Sequence, residues 1–578
     1  AAVISGLTNL TAGDDITLTQ VANNFVGAVT GTGNDIRIID GVSGIVLGNI
    51  ASSGTDAGLT VISTSGAISQ AASTTISSIG ITSLNAQRQV GATGSPGPAQ
   101  TSAALSISGG QLTSQALPGD LVRFYSGPNG TGSLLGSSVI SAVVDATTVT
   151  LLDNPGISSG IGSVVFVPLN RVQASGTVST TQSSTILTIG GGAINSEAQV
   201  GATVQFYSSA GGTGTLLGTS VIDAITSATA ATLSADPALS GIASITFVNP
   251  EVIRYGITVD NTGNNFVGAV NLNGNAVTIA DSVGGLALGI ATSARNLSAS
   301  STGGALHLGT TTVGGALTAR ATGGNLDLGT TQARSADAQT ITSGNIVQTG
   351  NLSIANALSL VSAGDITLPA AVGQTAVKNS LSGVISATGT NVRIATGDSA
   401  SGNDPSVMRL GNITAGGTLA IVNDNGAVTQ ESGTALAITG TSDFNSAILN
   451  GRANITLSSP TNNFIGSVSG SAHNIVLYDG VGALTTGQVN ATGDFTATSA
   501  AGALSLGSSS IGGVLTANAL TNLDLGTASV GSLVARSDTG NITQAGALNT
   551  VGTAVATASN GNISLTNIAN VLGGAVSL

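Results

Sequence analysis

The sequence predicts an all-β protein whose main body is a parallel β-helix, or β-solenoid, with coils of about 20 residues. Three observations support this fold class: repetition at two periods, short segments that alternate aliphatic and polar residues, and an unusual composition. Glycine occurs 83 times, and charged residues make up 7% of the chain and aromatic residues 2%. We expect solenoid at 1–89 and 254–578, interrupted by two small β-sandwich or barrel modules at 90–175 and 176–253.

The longer period is marked by an eight-residue motif. "ANNFVGAV" at 22–29 returns as "GNNFVGAV" at 263–270 and "TNNFIGSV" at 461–468, and "NVLGGAV" at 570–576 is a weaker copy. Short strand-like triplets accompany the motif and begin at 16, 257, 366, 455 and 563, so the spacings are 241, 109, 89 and 108 residues. The sequence therefore consists of super-repeats of roughly one hundred residues, about five coils each, and the first contains an insertion.

The shorter period is the coil itself. "LHLG" and "LDLG" place Leu306 and Leu308 twenty residues before Leu326 and Leu328. Alternate residues of a strand point to opposite faces, so these leucines face the interior and the following glycine allows a corner. One coil alone buries very little, but stacked coils bury a continuous aliphatic column.

His307 and Asp327 occupy the outward position between the leucines of successive coils. We expect them to be stacked neighbours, close enough for an ion pair. The alternative is a solvated ladder of surface side chains.

The repeated motif is predicted to be structural. Phe25, Phe266 and Phe464 are expected to fill the turn or the solenoid interior, with the preceding asparagines in left-handed corners. Three equivalent aspartates follow a strand and are interpreted as Asx turns: Asp40, Asp281 and Asp479. Calcium is the functional alternative, but the spacing of the carboxylates matches no calcium-binding loop.

The insertion is internally duplicated. "LVRFYSGPNGTGSLLG" starting at 121 pairs with "TVQFYSSAGGTGTLLG" starting at 203. Several short strands with turn signals between them predict a small β-domain for each copy. Four phenylalanines are predicted to form the two cores, because small domains need large side chains: Phe124, Phe166, Phe206 and Phe247. Tyr125 and Tyr207 are the candidate exposed aromatic residues for a surface contact.

Composition and charge argue against several function classes. The net charge of −13 argues against nucleic acid and against anionic membrane surfaces. The chain has no cysteine, and its acidic residues are scattered, so no cofactor, metal site or catalytic residue is predicted. A polysaccharide-degrading β-helix enzyme is the disfavoured alternative to a non-catalytic protein.

The motifs "GDITL", "NNFVGAV", "GALSLG", "GGVLTA" and "GNITQAGAL" resemble those of filamentous-haemagglutinin-like exoproteins of two-partner secretion. The resemblance covers most of the chain outside 90–253. It implies a right-handed parallel β-helical shaft, export across the bacterial outer membrane, and a role in adhesion, biofilm or cell contact. The family's amino-terminal secretion domain is not visible in this sequence, so we expect an interior shaft segment or a processed product.

We therefore expect an extracellular or cell-surface bacterial rod with structural or adhesive function. Self-association is the expected partnership, either head-to-tail between copies or as the continuation of a longer chain. The alternative is a binding module in which the pair at 90–253 recognises a host or matrix ligand and the rod is a passive stalk.

Overall fold

The structure is a computed structural model that describes the chain except for residues 21, 57, 88–89, 93, 117–119, 128–132, 168, 199–201, 213, 253, 369–378, 397–406, 425 and 447–451. It confirms the predicted fold class, since parallel strands are stacked as a β-solenoid and antiparallel strands form the insertion. Helical structure in the described residues amounts to two single turns, Leu112–Gln115 and Ile194–Glu197, and the 3₁₀ turn Ala210–Gly212.

In the described part of the chain, eleven solenoid strands precede the insertion. They are Val3–Ile4, Thr8–Thr11, Ile16–Leu18, Asn24–Phe25, Val29–Gly33, Ile36–Asp40, Ile45–Ser52, Leu59–Ser63, Ile68–Gln70, Ile76–Ser78 and Thr82–Ala86.

The solenoid strands after the insertion are Ile257–Val259, Asn265–Phe266, Val270–Gly274, Val277–Asp281, Leu286–Ser293, Leu297–Ser301, Leu306–His307, Thr310–Gly323, Leu326–Asp327, Thr330–Ser343, Ile346–Val347, Leu352–Ile354, Leu358–Val361, Ile366–Leu368, Ser380–Leu381, Val384–Gly389, Val392–Thr396, Met408–Ala415, Leu419–Asn423, Val428–Gln430, Leu436–Ile438, Ser442–Ser446, Ile455–Leu457, Asn463–Phe464, Val468–Ala472, Ile475–Asp479, Leu484–Ala491, Phe495–Ser499, Leu504–Ser505, Ser508–Ala519, Leu523–Asp524, Thr527–Ser537, Ile542–Thr543, Leu548–Thr550, Ala554–Ala558, Val571–Leu572 and Val576–Ser577.

The chain divides into two compact units. Unit 1 comprises Ala1–Asn261 with Leu272–Val277, and unit 2 comprises Thr262–Asn271 with Thr278–Leu578. Unit 1 holds the first coils and the insertion.

In unit 2, each coil contributes strands in turn to three columns, and each column is built by parallel pairing of one coil on the next. Column A runs through Leu286, Leu306, Leu326, Ile346 and Ile366. Column B starts at Ile290 and column C at Leu297, and both follow the same rule. Parallel pairing of neighbouring coils places each strand within the stack between two partners, so the backbone groups inside the stack are satisfied.

The interior of unit 2 is filled by the alternating aliphatic residues that the short period predicts. Leu306, Leu308 and Leu326 are fully buried and Leu328 is 2% exposed. Leu306 and Leu326 are direct partners on neighbouring strands. The corner after Leu308 requires glycine: Gly309 has φ +52°, and a Cβ there would lie 2.1 Å from the Leu288 carbonyl oxygen.

A ladder of Asn and Asp side chains lies at the start of column A strands. Each side-chain oxygen accepts the backbone N–H of the equivalent residue one coil later, from Asn325 to Asn345, then to Asp365, Asn391 and Thr418. These bonds measure 2.8 to 3.0 Å. The ladder supplies acceptors where the chain turns and the strand hydrogen bonds stop.

The insertion forms two seven-stranded antiparallel sheets. Strands of the first are Val90–Gly91, Ser95–Pro96, Ala104–Ser108, Leu121–Tyr125, Leu134–Val143, Thr148–Leu151 and Ser163–Val167. Strands of the second are Leu169–Gln173, Thr177–Val178, Ile186–Gly190, Thr203–Tyr207, Leu216–Ile225, Ala230–Leu233 and Ser244–Val252, and a separate strand pair joins Thr181–Gln182 to Leu239–Ser240.

The four predicted phenylalanines lie in the two module cores. Phe124 and Phe166 belong to one buried cluster, and Phe206 and Phe247 to the other. The duplication extends to strand register, because Phe124 pairs with Gly136 as Phe206 pairs with Gly218, with a register shift directly after each phenylalanine.

The boundary between the modules differs from the predicted one at 175/176. Leu169–Gln173 pairs with Ser244–Val252 and is therefore part of the second sheet. The two sheets divide between Val167 and Leu169, with one residue between them. Sequence similarity between the copies did not reveal that Leu169–Gln173 belongs to the second sheet. The sheet to which an edge strand belongs depends on the strand with which it pairs, and the sequence does not show that pairing.

The solenoid resumes in register after the insertion. Gln87 and Arg254 form an antiparallel bridge, the Tyr255 N–H donates to the Ala86 carbonyl at 2.6 Å, and Ile257 pairs in parallel with Ile68. The two ends of the inserted segment are therefore adjacent, which is how a solenoid accommodates an insertion of this size.

We expect Leu326→Ala to lower the free energy of unfolding of unit 2 by about 3 kcal/mol, because it leaves a cavity between two stacked coils. The measurement is the urea midpoint followed by circular dichroism. Thr312→Ala is the matched control, since Thr312 is exposed on a neighbouring strand and its loss should change stability by less than about 0.5 kcal/mol. Equal effects of the two substitutions would contradict the assigned interior.

Candidate functional site

The repeated Asn-Asn-Phe motif is the most prominent candidate site, and each copy is held by an aspartate one coil later. In unit 2, the Phe266 N–H donates to Asp281 Oδ2 at 2.7 Å, and Asp281 Oδ1 accepts the N–H groups of Val283 and Gly284 at 3.0 Å each. The carboxylate is fully buried. It accepts hydrogen bonds from its own corner and from the neighbouring coil, and so it joins the two.

The same arrangement recurs in the other two full copies. Asp40 accepts the Phe25 N–H at 2.8 Å, and Asp479 accepts the Phe464 N–H at 2.8 Å. Both carboxylates also accept two N–H groups of their own turn. The Asx-turn interpretation is therefore correct, and the inter-coil bond to the phenylalanine is an addition that sequence reasoning missed.

The three phenylalanines themselves lie in the solenoid interior. Phe25 and Phe266 are fully buried and Phe464 is 1% exposed. Phe464 also packs edge-to-face on Phe444 of the preceding coil, with ring centroids 6.3 Å apart. The expectation that the asparagines occupy left-handed corners is wrong, because Ser73 and Ala238 are the only described non-glycine residues with positive φ.

The first asparagine of the motif has a different role. Asn462 and Gln430 form a reciprocal amide pair with bonds of 2.9 and 2.7 Å, and Asn462 Oδ1 also accepts the Leu436 N–H at 2.9 Å. Asn570 and Gln544 repeat this pair at 2.9 and 2.8 Å. The pair replaces strand hydrogen bonds across the corner, so the asparagine is retained even in the weak copy without phenylalanine.

The signal for this amide pair was present in the sequence. A Thr-Gln or Val-Gln dipeptide closes a strand 26 to 32 residues before each partner asparagine, at Gln348, Gln430 and Gln544. Only the fold shows that this distance in sequence corresponds to neighbouring coils.

Copies of the motif do not lie in one row. In unit 2, Asn265 lies beside Gly284 at the start of column A. The equivalent segment 379–381, whose asparagine pairs with Gln348 as Asn462 pairs with Gln430, lies in column B. Asn463–Phe464 lies in column C and Val571–Leu572 again in column A. Each super-repeat thus contains a whole number of coils plus one third. The motif fixes every corner of the solenoid in turn and presents no continuous surface.

His307 and Asp327 are stacked neighbours, as predicted, with His307 Nδ1 3.4 Å from Asp327 Oδ2. Their environments differ, because the His307 side chain is 56% exposed and that of Asp327 is 9% exposed. Asp327 accepts the Gly329 N–H at 2.9 Å and the Thr349 hydroxyl at 2.8 Å. Asp327 is therefore a corner residue and not a member of a solvated ladder.

The two candidate tyrosines differ in exposure. Tyr125 is partly exposed and pairs across the sheet with Leu134, which is 54% exposed. Tyr207 is fully buried and donates its hydroxyl to Gln205 at 2.6 Å, and its partner Leu216 is 7% exposed. Tyr207 is therefore not a surface contact, since the outer face of its strand is covered in the second module.

The surroundings of Asp443 and Asp145 shift the pKa of the two carboxyl groups in opposite directions. Burial raises the pKa of Asp443, which outweighs the lowering effect of the Arg393 charge. Hydrogen bonds from the backbone and hydroxyl of Thr147 lower the pKa of Asp145, in an Asx turn of the first module.

Within the described ranges, no three His, Asp or Glu side chains are grouped so that they could hold a metal ion. Across the same residues, no helix combines the length and apolarity needed to cross a membrane.

These features define a β-solenoid repeat protein. Residues 1–32, 389–471 and 512–578 match the sequence profile of a family described as repeats of unknown function, DUF5649. No curated protein matches the chain. The matched segments contain the first, third and last copies of the motif, so the family resemblance follows the corner structure described above.

We expect Asp479→Asn to destabilise unit 2 by about 2–3 kcal/mol, because one of the three N–H groups would face an amide N–H₂ in a buried corner. Hydrogen exchange of the Phe464, Val481 and Gly482 amides should accelerate accordingly. The control is Asp443→Asn, because the Asp443 side chain is exposed and faces outward. If the control variant were as destabilised as Asp479→Asn, the corner role of the carboxylate would be wrong.

Proposed function

We propose that this protein is a non-catalytic, extracellular β-helical rod that forms part of an adhesive or structural layer on a bacterial surface. The observation that carries the proposal is the uninterrupted stacking in unit 2, where parallel pairing continues from Leu286–Ser293 to Val576–Ser577. Its corners are held by buried carboxylates and amide pairs. A stack of this kind gives length and rigidity.

The resemblance to filamentous-haemagglutinin-like exoproteins supports the extracellular and adhesive part of the proposal. The low charge and the absence of cysteine in the sequence are compatible with export in an unfolded state. The match to a repeat family supports the repetitive architecture and is neutral on location.

Self-association belongs to the same proposal. The strands Val571–Leu572 and Val576–Ser577 pair with a coil on one side, and Val571 is 62% exposed. A further coil would bind through the same hydrogen bonds whether it came from the same chain or from a second copy.

The test of self-association compares two substitutions on one strand. Leu572 pairs with the inward-facing Thr550, whereas Val571 pairs with the outward-facing Asn549. We expect the chain to form fibres in electron microscopy and to sediment faster as concentration rises. Leu572→Lys should suppress this, because it places a charge over the stacking surface, and Val571→Lys should not.

Monodisperse monomers at all concentrations would contradict head-to-tail association, as would equal fibre formation by the Leu572→Lys variant.

A second candidate function is ligand binding by the inserted modules. The specific observation is the pair of partly exposed Tyr125 and exposed Leu134, whose counterpart Tyr207–Leu216 is buried in the other module. Aromatic residues at a partly exposed site are typical of binding hot spots.

Replacing residues 88–253 with a short Gly-Ser linker tests this candidate, because Gln87 and Arg254 are already paired. If the modules bind the ligand, the deletion should abolish attachment to cells or matrix and preserve the β-solenoid circular dichroism. Tyr125→Ser should weaken attachment by about tenfold. Val144→Ser is the control, since Val144 is 62% exposed elsewhere in the same module. Undiminished attachment of the deletion variant would refute this candidate.

A further inference from the structure

The outer surface of unit 2 carries a recess that is lined by polar side chains. It has a volume of about 420 Å³ and lies on column A, across three neighbouring strands. Its floor is Val468–Ala472, and its walls are Ser442–Ser446 and Leu484–Ala491. Its lining includes the polar side chains of Asp443, Ser469, Ser471, Gln488 and Asn490.

The recess arises from the lengths of these side chains and from a register shift. Ser469 pairs with Asp443 on one side, and Ser471 pairs with Asn490 on the other. Short serines thus lie between longer side chains. The register between the floor and the second wall shifts between Val468 and Gly470, which leaves Gly487 beside Ser469. A Cβ at Gly487 would lie 2.4 Å from the Ser469 hydroxyl oxygen, so a side chain at position 487 would displace that hydroxyl.

Equivalent positions in two other copies provide a comparison for Gln488. Gly48 in unit 1 and Gly411 in unit 2 lie at the same kind of register shift as Gly487. They are followed by Asn49 and Asn412. Asn49 accepts the Thr75 N–H and Asn412 accepts the Ala435 N–H, both at 2.9 Å, so these asparagines hold the next coil. Gln488 is one methylene longer, and its amide has no hydrogen-bond partner in the described part of the chain. Gln488 therefore makes no hydrogen bond to the next coil of the kind that Asn49 and Asn412 make, and it lines the recess.

The lining specifies the chemistry of a ligand. The described lining residues offer hydroxyls, amides and one carboxylate, and none of them is cationic or aromatic. Arg393 is the charged residue aligned with Asp443 across the paired strands. Ala420, on the strand between them, separates the two side chains. An anionic ligand would meet the carboxylate without a compensating cation. A neutral molecule with many hydroxyl groups can donate to Asp443 and exchange hydrogen bonds with the serines and amides.

A second, smaller recess adjoins the first. It has a volume of about 150 Å³ and shares Gln488 and Asn490 with the larger one. Beyond this shared ridge it is lined by Ser508, Thr527 and Asn549 on the following strands. Two adjoining recesses along the stacking direction suit a ligand made of linked units rather than a single small polyol.

We propose that these two recesses form a binding site for a short neutral oligosaccharide lying along the solenoid, with Asp443 and Gln488 as its principal hydrogen-bonding residues. The site is on the shaft itself and is independent of the inserted modules. Without an aromatic platform, affinity from hydrogen bonds alone is in the millimolar range for one site. Repeated copies in a fibre would strengthen attachment through multivalency.

The test uses the full chain with cellotetraose, chitotetraose and maltotetraose as probes, and tetragalacturonate as the anionic comparison. Binding is followed by saturation-transfer NMR and by isothermal titration calorimetry. We expect at least one neutral probe to bind and tetragalacturonate to bind more weakly. Gln488→Ala and Asp443→Ala should each raise Kd by about fivefold, the equivalent of one lost hydrogen bond.

Gln332→Ala is the matched control, because Gln332 is an exposed glutamine on a column B strand of the same unit. It should leave Kd unchanged, and all three variants should keep the wild-type circular dichroism because their side chains face outward. The proposal is overturned if no neutral probe binds, if Gln332→Ala weakens binding as much as Gln488→Ala, or if replacing 88–253 with a linker abolishes binding. If replacing 88–253 with a linker abolishes binding, saccharide binding belongs to the modules instead. The test of self-association by fibre formation does not depend on any of these binding results.

Discussion

The structure depends on one constraint, which is that the backbone groups of a coil can be satisfied only by its two neighbouring coils. A coil of about 20 residues encloses too little apolar surface to be stable alone. Parallel pairing satisfies the backbone groups along the strands, but the strand hydrogen bonds stop at the corners. The Asn and Asp side chains in unit 2 supply the missing acceptors, from Asn325 through Asp365 to Asn391.

The motif repeated along the chain is the reinforced form of this corner. A buried carboxylate joins two coils at Phe266 and Asp281, and the same bond is found at Phe25 and Phe464. The amide pair between Gln430 and Asn462 joins the preceding coil as well. Charge-assisted bonds in a dry corner are strong, but they cost much if one partner is removed. Selection for stability therefore explains the repetition without any ligand.

Repetition in this sequence does not create a repeated surface. Because each super-repeat ends one column further on, equivalent residues face different directions along unit 2. A functional site on such a scaffold is found where a copy departs from the pattern. Gln488 departs from Asn49 and Asn412 by losing their structural bond, and Tyr125 departs from Tyr207 by being exposed.

The sequence by itself determined the fold class, the coil length and the interior leucines, because alternation and period are local properties of a strand. It also determined the duplicated module cores around Phe124 and Phe206. Only the tertiary structure decided which residues meet across coils, including the Gln430–Asn462 pair and the assignment of Leu169–Gln173 to the second module. It also decided that Tyr207 is buried. The physical reason is that partners 15 to 32 residues apart are chosen by coil register and by what covers each face, and neither is encoded in the residues next to them.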